Sequence, residues 1–202
     1  PSLTELSNLS HLIINNNYNL TTLDISELPN LSELNISENI NLISLDIYNL
    51  NSLSNLIIDD NSDLTSINIS ETPNLSELTI EWNTDLLDLY ISGLPILNKL
   101  LIQSHEHLTN LNISDLPSLS ELTLYQNPDL TNLNISNLPN LSELIIDQNY
   151  TLTSLDISNF NSLSNLIIVD NNYLTNINVS ELPNLQSLII QNNENLISIP
   201  EF

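Results

Sequence analysis

Three histidines, 25 carboxylates and a single Lys or Arg are the ionisable groups on which chemistry could be built in these 202 residues. Serine is plentiful. Yet neither the glycine-flanked turn of a hydrolase nucleophile nor a phosphate-cradling loop can be made when Gly93 is the only glycine. With no Cys there is no disulfide, thiolate nucleophile or Cys-bound zinc. His105-Glu106-His107 is the one motif suggestive of a metal. Asp85, His107 and Asp129 stand 22 residues apart, so a fold repeating at that period stacks them as weak candidate ligands. Glu38, Asp59, Asp60 and Glu81 stack in the same way, and their oxygens suit Ca2+, the only cofactor the sequence suggests. No compact calcium-loop motif accompanies them, so solvated acids are the favoured reading, as is a corner histidine at His105. The residues point away from an enzyme.

The elements that position these groups follow from one repeat. Leu recurs every 11 residues from Leu9 to Leu196. Leu or Ile comes three residues later, and Ile comes two after that, with Leu124 and Val179 as substitutes, until the final unit. Two kinds of unit alternate, so the structural period is 22. One kind carries Asn at its ninth position: Asn17, Asn39, Asn61, Asn83, Asn127, Asn149, Asn171 and Asn193, with His105 in the remaining slot. The other carries Leu, Thr or Phe there, then usually Pro, as at Pro29, Pro73 and Pro139. Each x-L-x-I-x core alternates in and out and reads as a short strand. The five residues that follow, rich in Asn, Asp, Pro and Ser, read as a corner. Eleven residues are too few for a strand, an α-helix and two turns. The pattern predicts a mostly β solenoid with little or no helix. It has about nine 22-residue coils, two short parallel strands per coil, and a single domain over 1–202. The buried Asn amides are expected to bond the backbone of neighbouring coils. Asn51–Ile58 repeats as Asn161–Ile168, five coils later, which reads as a duplicated block.

The segment L-x-x-L-x-I-x-x-N resembles the leucine-rich-repeat family over Leu9 to Leu196. The strand-like second half, L-T-x-L-x-I-S-x-L-P-x, is similar to the short bacterial internalin-like type. That resemblance implies ligand recognition rather than catalysis. Two walls of equal path length imply a fairly straight solenoid instead of a curved horseshoe.

Charge narrows the partners. A net charge of −24 with one cation disfavours nucleic acid and anionic membrane surfaces, and no apolar run suits a membrane span. Lys99 falls in a column between Glu77 and Glu121, where it is expected to bridge them. The Pro-unit wall is small, polar and monotonous, with Asp24, Asp46 and Asn68 at its centre and Ser26, Ser70 and Ser92 beside them. The Asn-unit wall differs: its central outward column is Ile13, Asn35, Ile57, Thr79, Leu101, Thr123, Ile145, Ile167 and Ile189. Asp59, Glu81, Trp82, Tyr125, Asp147 and Asp170 lie beside that line. An apolar stripe rimmed by acids, holding the only Trp, is the expected ligand-binding face for a protein or carbohydrate in an extracellular or cell-surface setting. The alternative is a structural subunit of a fibre or surface layer that self-associates through the stripe or the solenoid ends. Pro1 and Phe202 both fall within a coil, so the chain is expected to be a fragment or mature part of a longer one.

Overall fold

The computed structural model describes residues 6–25 and 28–199; Ser26, Pro1 and Phe202 lie outside the described residues. Strands occur wherever the L-x-I core predicts them, with one exception. In chain order they are β1 (His11–Asn15), β2 (Glu33–Ser37), β3 (Ser44–Ile47), β4 (Asn55–Asp59), β5 (Ser66–Ile69), β6 (Glu77–Glu81), β7 (Asp88–Ser92) and β8 (Lys99–Gln103). Then come β9 (Asn110–Ser114), β10 (Glu121–Tyr125), β11 (Asn132–Ser136), β12 (Glu143–Asp147), β13 (Ser154–Asp156), β14 (Asn165–Val169), β15 (Asn176–Asn178) and β16 (Ser187–Gln191). The exception is the first Pro unit, where Leu23–Ile25 forms no strand. No helix occurs among the described residues.

The Asn units build one nine-stranded parallel sheet, β1-β2-β4-β6-β8-β10-β12-β14-β16. Its register is 22 residues throughout, as in Ile57↔Thr79 and Thr123↔Ile145. The Pro units build an opposite wall in three pieces, β7-β9-β11, β3-β5 and β13-β15. Between the walls, Leu and Ile from both sides form one continuous core: Leu34, Ile36, Leu56, Ile58, Leu122 and Leu144 are each at most 2% exposed.

The nine rungs correct the expected count of nine coils to eight turns, because nine parallel strands enclose only eight full circuits. The unequal continuity of the walls has a side-chain cause. Outward positions on the Asn-unit wall are mainly Ile, Leu and Thr, which favour a pleated strand, whereas the Pro-unit wall carries Asp and Asn, which do not.

Both corners turn through the same backbone device. The residue after each Asn-unit strand is left-handed, from Asn16 (φ 59°) and Glu38 (φ 54°) through Trp82 (φ 53°) to Asn192 (φ 53°). The Pro units repeat this at Asn49, Glu71, Asp115, Asn137, Asn159 and Glu181, and Gly93 (φ 69°) is the single position where the permissive residue is used. Corner side chains then staple each coil to the one before it. Ser52 Oγ donates to the Pro29 carbonyl at 2.6 Å, and Asn140 Nδ2 donates to the Pro117 carbonyl at 2.7 Å.

Candidate functional site

The Asn-unit wall owes its regularity to the expected amide ladder. In each rung the Asn Oδ1 accepts the backbone N–H of the Asn one coil earlier: Asn17 to Asn39 at 3.1 Å, Asn39 to Asn61 at 3.1 Å, Asn149 to Asn171 at 3.0 Å. The Nδ2 donates back to a strand carbonyl of the preceding coil, Asn61 to Ile36 at 3.0 Å, and to its own coil, Asn61 to Asp59 at 2.9 Å. Asn39, Asn61, Asn83, Asn127, Asn149 and Asn171 are fully buried, and Asn193 is half-buried on the last rung. A buried corner would otherwise orphan these backbone groups, so the ladder removes a penalty that recurs in every coil.

His105 takes the vacant rung and is fully buried. Its Nε2 faces only the Ile80 carbonyl, at 3.2 Å, so Nε2 carries the proton and donates. Its Nδ1 then accepts the Asn83 N–H at 3.2 Å, the bond an Asn Oδ1 makes elsewhere, and also lies 3.2 Å from the Asn83 carbonyl. Burial pushes the imidazole pKa down to about 4, against the smaller opposing pull of the Asn83 and Ile80 backbone groups. The ring is therefore a neutral amide mimic at pH 7.

With the backbone held from inside, the outward face of this wall is free to vary. Ile13 on the edge strand β1 is 66% exposed and Ile189 on β16 is 37% exposed. Ile57, Thr79, Leu101, Thr123, Ile145 and Ile167 are only half-buried, which tempers the fully exposed line expected from the pattern. The reason is strand spacing: each side chain is flanked on both sides by the same position of the next coil, at ~4.8 Å. Trp82 stands on the rim, 48% exposed.

Acids border the stripe on both sides. One column runs Glu33, Glu77, Glu121 and Glu143, interrupted by Asn55 and Lys99, and the other holds Asp59, Glu81 and Asp147. Lys99 reaches Glu121 at 3.0 Å, and no ion pair to Glu77 accompanies it; the expected three-coil bridge is a two-coil one. The Glu121 hydrogen bond, more than any other neighbour, raises the Lys99 pKa. His11 Nε2 lies 3.2 Å from Glu33. On the other side nothing cationic is paired. Burial first, then Asp60 and Glu38, raises the Asp59 pKa; burial and Asp59 raise that of Glu81; burial and Asp170 raise that of Asp147. Between these acid groups runs a neutral ladder, Ser104 to Gln126 at 3.3 Å and Gln126 to Gln148 at 3.1 Å, with Gln148 also donating to the Tyr125 hydroxyl. Two polar atoms of the face are shut off from solvent without a hydrogen bond, Asn35 Oδ1 and Asp147 Oδ1.

The remaining candidates are more dispersed. His107 Nδ1 lies 3.6 Å from Asp129 Oδ2 with both side chains about half exposed, and Asp85 forms no ion pair with His107. No group of three or more His, Asp or Glu among the described residues converges as metal ligands would. Sequence reasoning missed two features. A serine ladder, with Ser54 Oγ donating to Ser32 and Ser76 Oγ to Ser54 at about 3 Å, was signalled by Ser at the second position of the Asn units. A groove of about 790 Å³, lined by Asp115, Asn137, Pro139, Asn159 and Phe160 among others, opens at the Pro-unit corner. Its signal was Phe160 in a column otherwise of Leu and Thr. It opens where β11 and β13 fail to pair.

Compared with family models, curated proteins and solved structures, the chain matches none.

Proposed function

We propose that the chain is a recognition module of the leucine-rich-repeat type, without catalytic activity, that binds its partner through the outward face of the Asn-unit sheet. The observation that carries this reading is the difference between the two walls. One is a continuous nine-stranded sheet with an Ile, Leu and Thr stripe between acids; the other is a broken sheet faced mainly with Asn, Asp and Ser, with Tyr90 exposed among them. The ladder fixes the first wall without using its outward side chains, so a face of nine stacked strands is rigid before any partner arrives. The resemblance of L-x-x-L-x-I-x-x-N to that family supports the same reading, and an extracellular or cell-surface setting is proposed with it.

The test is a selection of binders from a displayed library, followed by mapping on surface variants. Binders are expected to lose at least tenfold in affinity on Ile57→Lys, Trp82→Ala or Ile145→Lys, and to keep it on Tyr90→Lys or Asn134→Lys of the opposite wall. Binders that map to the Pro-unit wall, with all three Asn-face variants neutral, would overturn the reading.

A further inference from the structure

We infer that the partner of the Asn-unit face is a basic polypeptide segment, extended across the strands, that lays apolar side chains on the Ile–Leu–Thr stripe and sets Lys or Arg against the acids flanking it. The inference rests on the reading of this face as the recognition surface and adds the chemistry of what it recognises.

Charge complementarity carries it. Carboxylates border the stripe on both sides, and the side chains of the chain itself that pair with them are Lys99 and His11, both on one side. On the other side Asp59 and Glu81 pair with each other across β4 and β6, with Asp60 and Glu38 near Asp59, and Asp147 has Asp170 near it and neutral Tyr125 and Val169 on the adjacent strands. Asp147 Oδ1 accepts no hydrogen bond, so this carboxylate is left incompletely satisfied at the stripe's edge. A cation brought by a partner meets each of these groups without displacing an existing pair.

Spacing adds a pattern. Glu81 on β6 and Asp147 on β12 are separated by three strand steps, which is ~14 Å at ~4.8 Å per step. An extended peptide rises ~3.3 Å per residue, so it covers that distance in about four residues. Side chains at i, i+2 and i+4 share one face of an extended chain. A peptide lying over the stripe therefore rests an apolar residue at i+2 on Leu101 and Thr123, while Lys or Arg at i and i+4 extend sideways to the two acid groups in the adjacent column. Nucleic acids and anionic lipids bring negative charge to this surface and neutral glycans bring none, so a polypeptide is the macromolecule that combines both features.

The experiment uses three fluorescent probe peptides with the whole chain. The first is Thr-Lys-Thr-Ile-Thr-Lys-Thr; the second replaces both Lys by Gln; the third replaces Ile by Ser. Affinity is measured by anisotropy at low and physiological salt, and contacts are mapped by amide chemical-shift changes. The Lys peptide is expected to bind about tenfold tighter than either control, to weaken with salt, and to perturb the strands β4 to β14. The double variant Glu81→Gln, Asp147→Asn is expected to lose most of that advantage, and Asp46→Asn, Asp88→Asn on the other wall to keep it. Equal losses from both double variants would mean diffuse attraction to a polyanion, and the inference would fall. A Gln peptide that perturbs β4 to β14 as strongly as the Lys peptide would leave the face standing and defeat its basic partner. Perturbations confined to the Pro-unit wall would defeat the face itself.

Discussion

At the scale of single residues, two side chains sit in environments that do not suit them. Thr72 is 2% exposed in a column whose neighbours are Leu50, Leu94 and Leu116, and its Oγ1 has no hydrogen-bond partner. Thr72→Val keeps the shape and removes the desolvated hydroxyl. It is expected to raise stability by about 1 kcal/mol in urea unfolding. His105 fills its rung as a neutral ring, so acid works against it. Its folded pKa of about 4 lies below the unfolded value near 6.5, and the unfolded chain takes up the proton first. Its contribution is intact above pH 6.5 and is lost as pH falls from there towards 4, by on the order of 3 kcal/mol in total. Asp59, Glu81 and Asp147 act in the opposite sense. Their raised pKa values mean that their charge opposes folding at neutral pH and that the penalty is relieved as pH falls through those values. His105→Asn separates the two effects. The stability of the native chain relative to this variant is expected to decline between pH 7 and 4, and a flat difference would show that the ring is not the buried neutral acceptor described.

The element that organises the fold is the amide ladder. Asn127 accepts the His105 N–H and donates to the Ile102 and Tyr125 carbonyls, all within the corner. Asn127→Leu orphans buried groups and is expected to cost roughly 3 to 5 kcal/mol, whereas Asn17→Leu, at an exposed edge rung, is expected to cost less than about 1 kcal/mol. Equal costs at the two positions would show that the ladder is not what satisfies the corner. This element was legible in the sequence, down to His105 standing in an Asn slot, because a period of 22 places every rung by arithmetic. The breaks in the Pro-unit wall were not legible. The L-x-I core of Leu23–Ile25 matches its neighbours, and whether such a core pairs depends on the weak strand preference of outward Asp and Asn. The same holds on the proposed binding face. Spacing identified Ile57 and Ile145 as outward, but their half-burial and the sealed Asp147 Oδ1 arise from contacts between coils that a one-dimensional pattern does not contain.

For the whole molecule, a net charge of −24 acts on a solenoid whose coils each bring further acids close together. Added salt screens that repulsion, so the unfolding midpoint is expected to rise between ~20 mM and ~500 mM NaCl, a range over which the Debye length shrinks severalfold. On the proposed reading the same charge keeps copies apart and leaves the stripe open to a basic partner. A structural subunit would instead cover the stripe with another copy of itself. Assembly state separates these directly, by light scattering and negative-stain imaging with and without millimolar calcium. The account expects a monodisperse particle of 22.7 kDa under every condition. Ordered fibres or sheets that dissolve on Ile57→Lys or Ile145→Lys would contradict it, since the stripe would then be a contact between copies and not a surface for recognition.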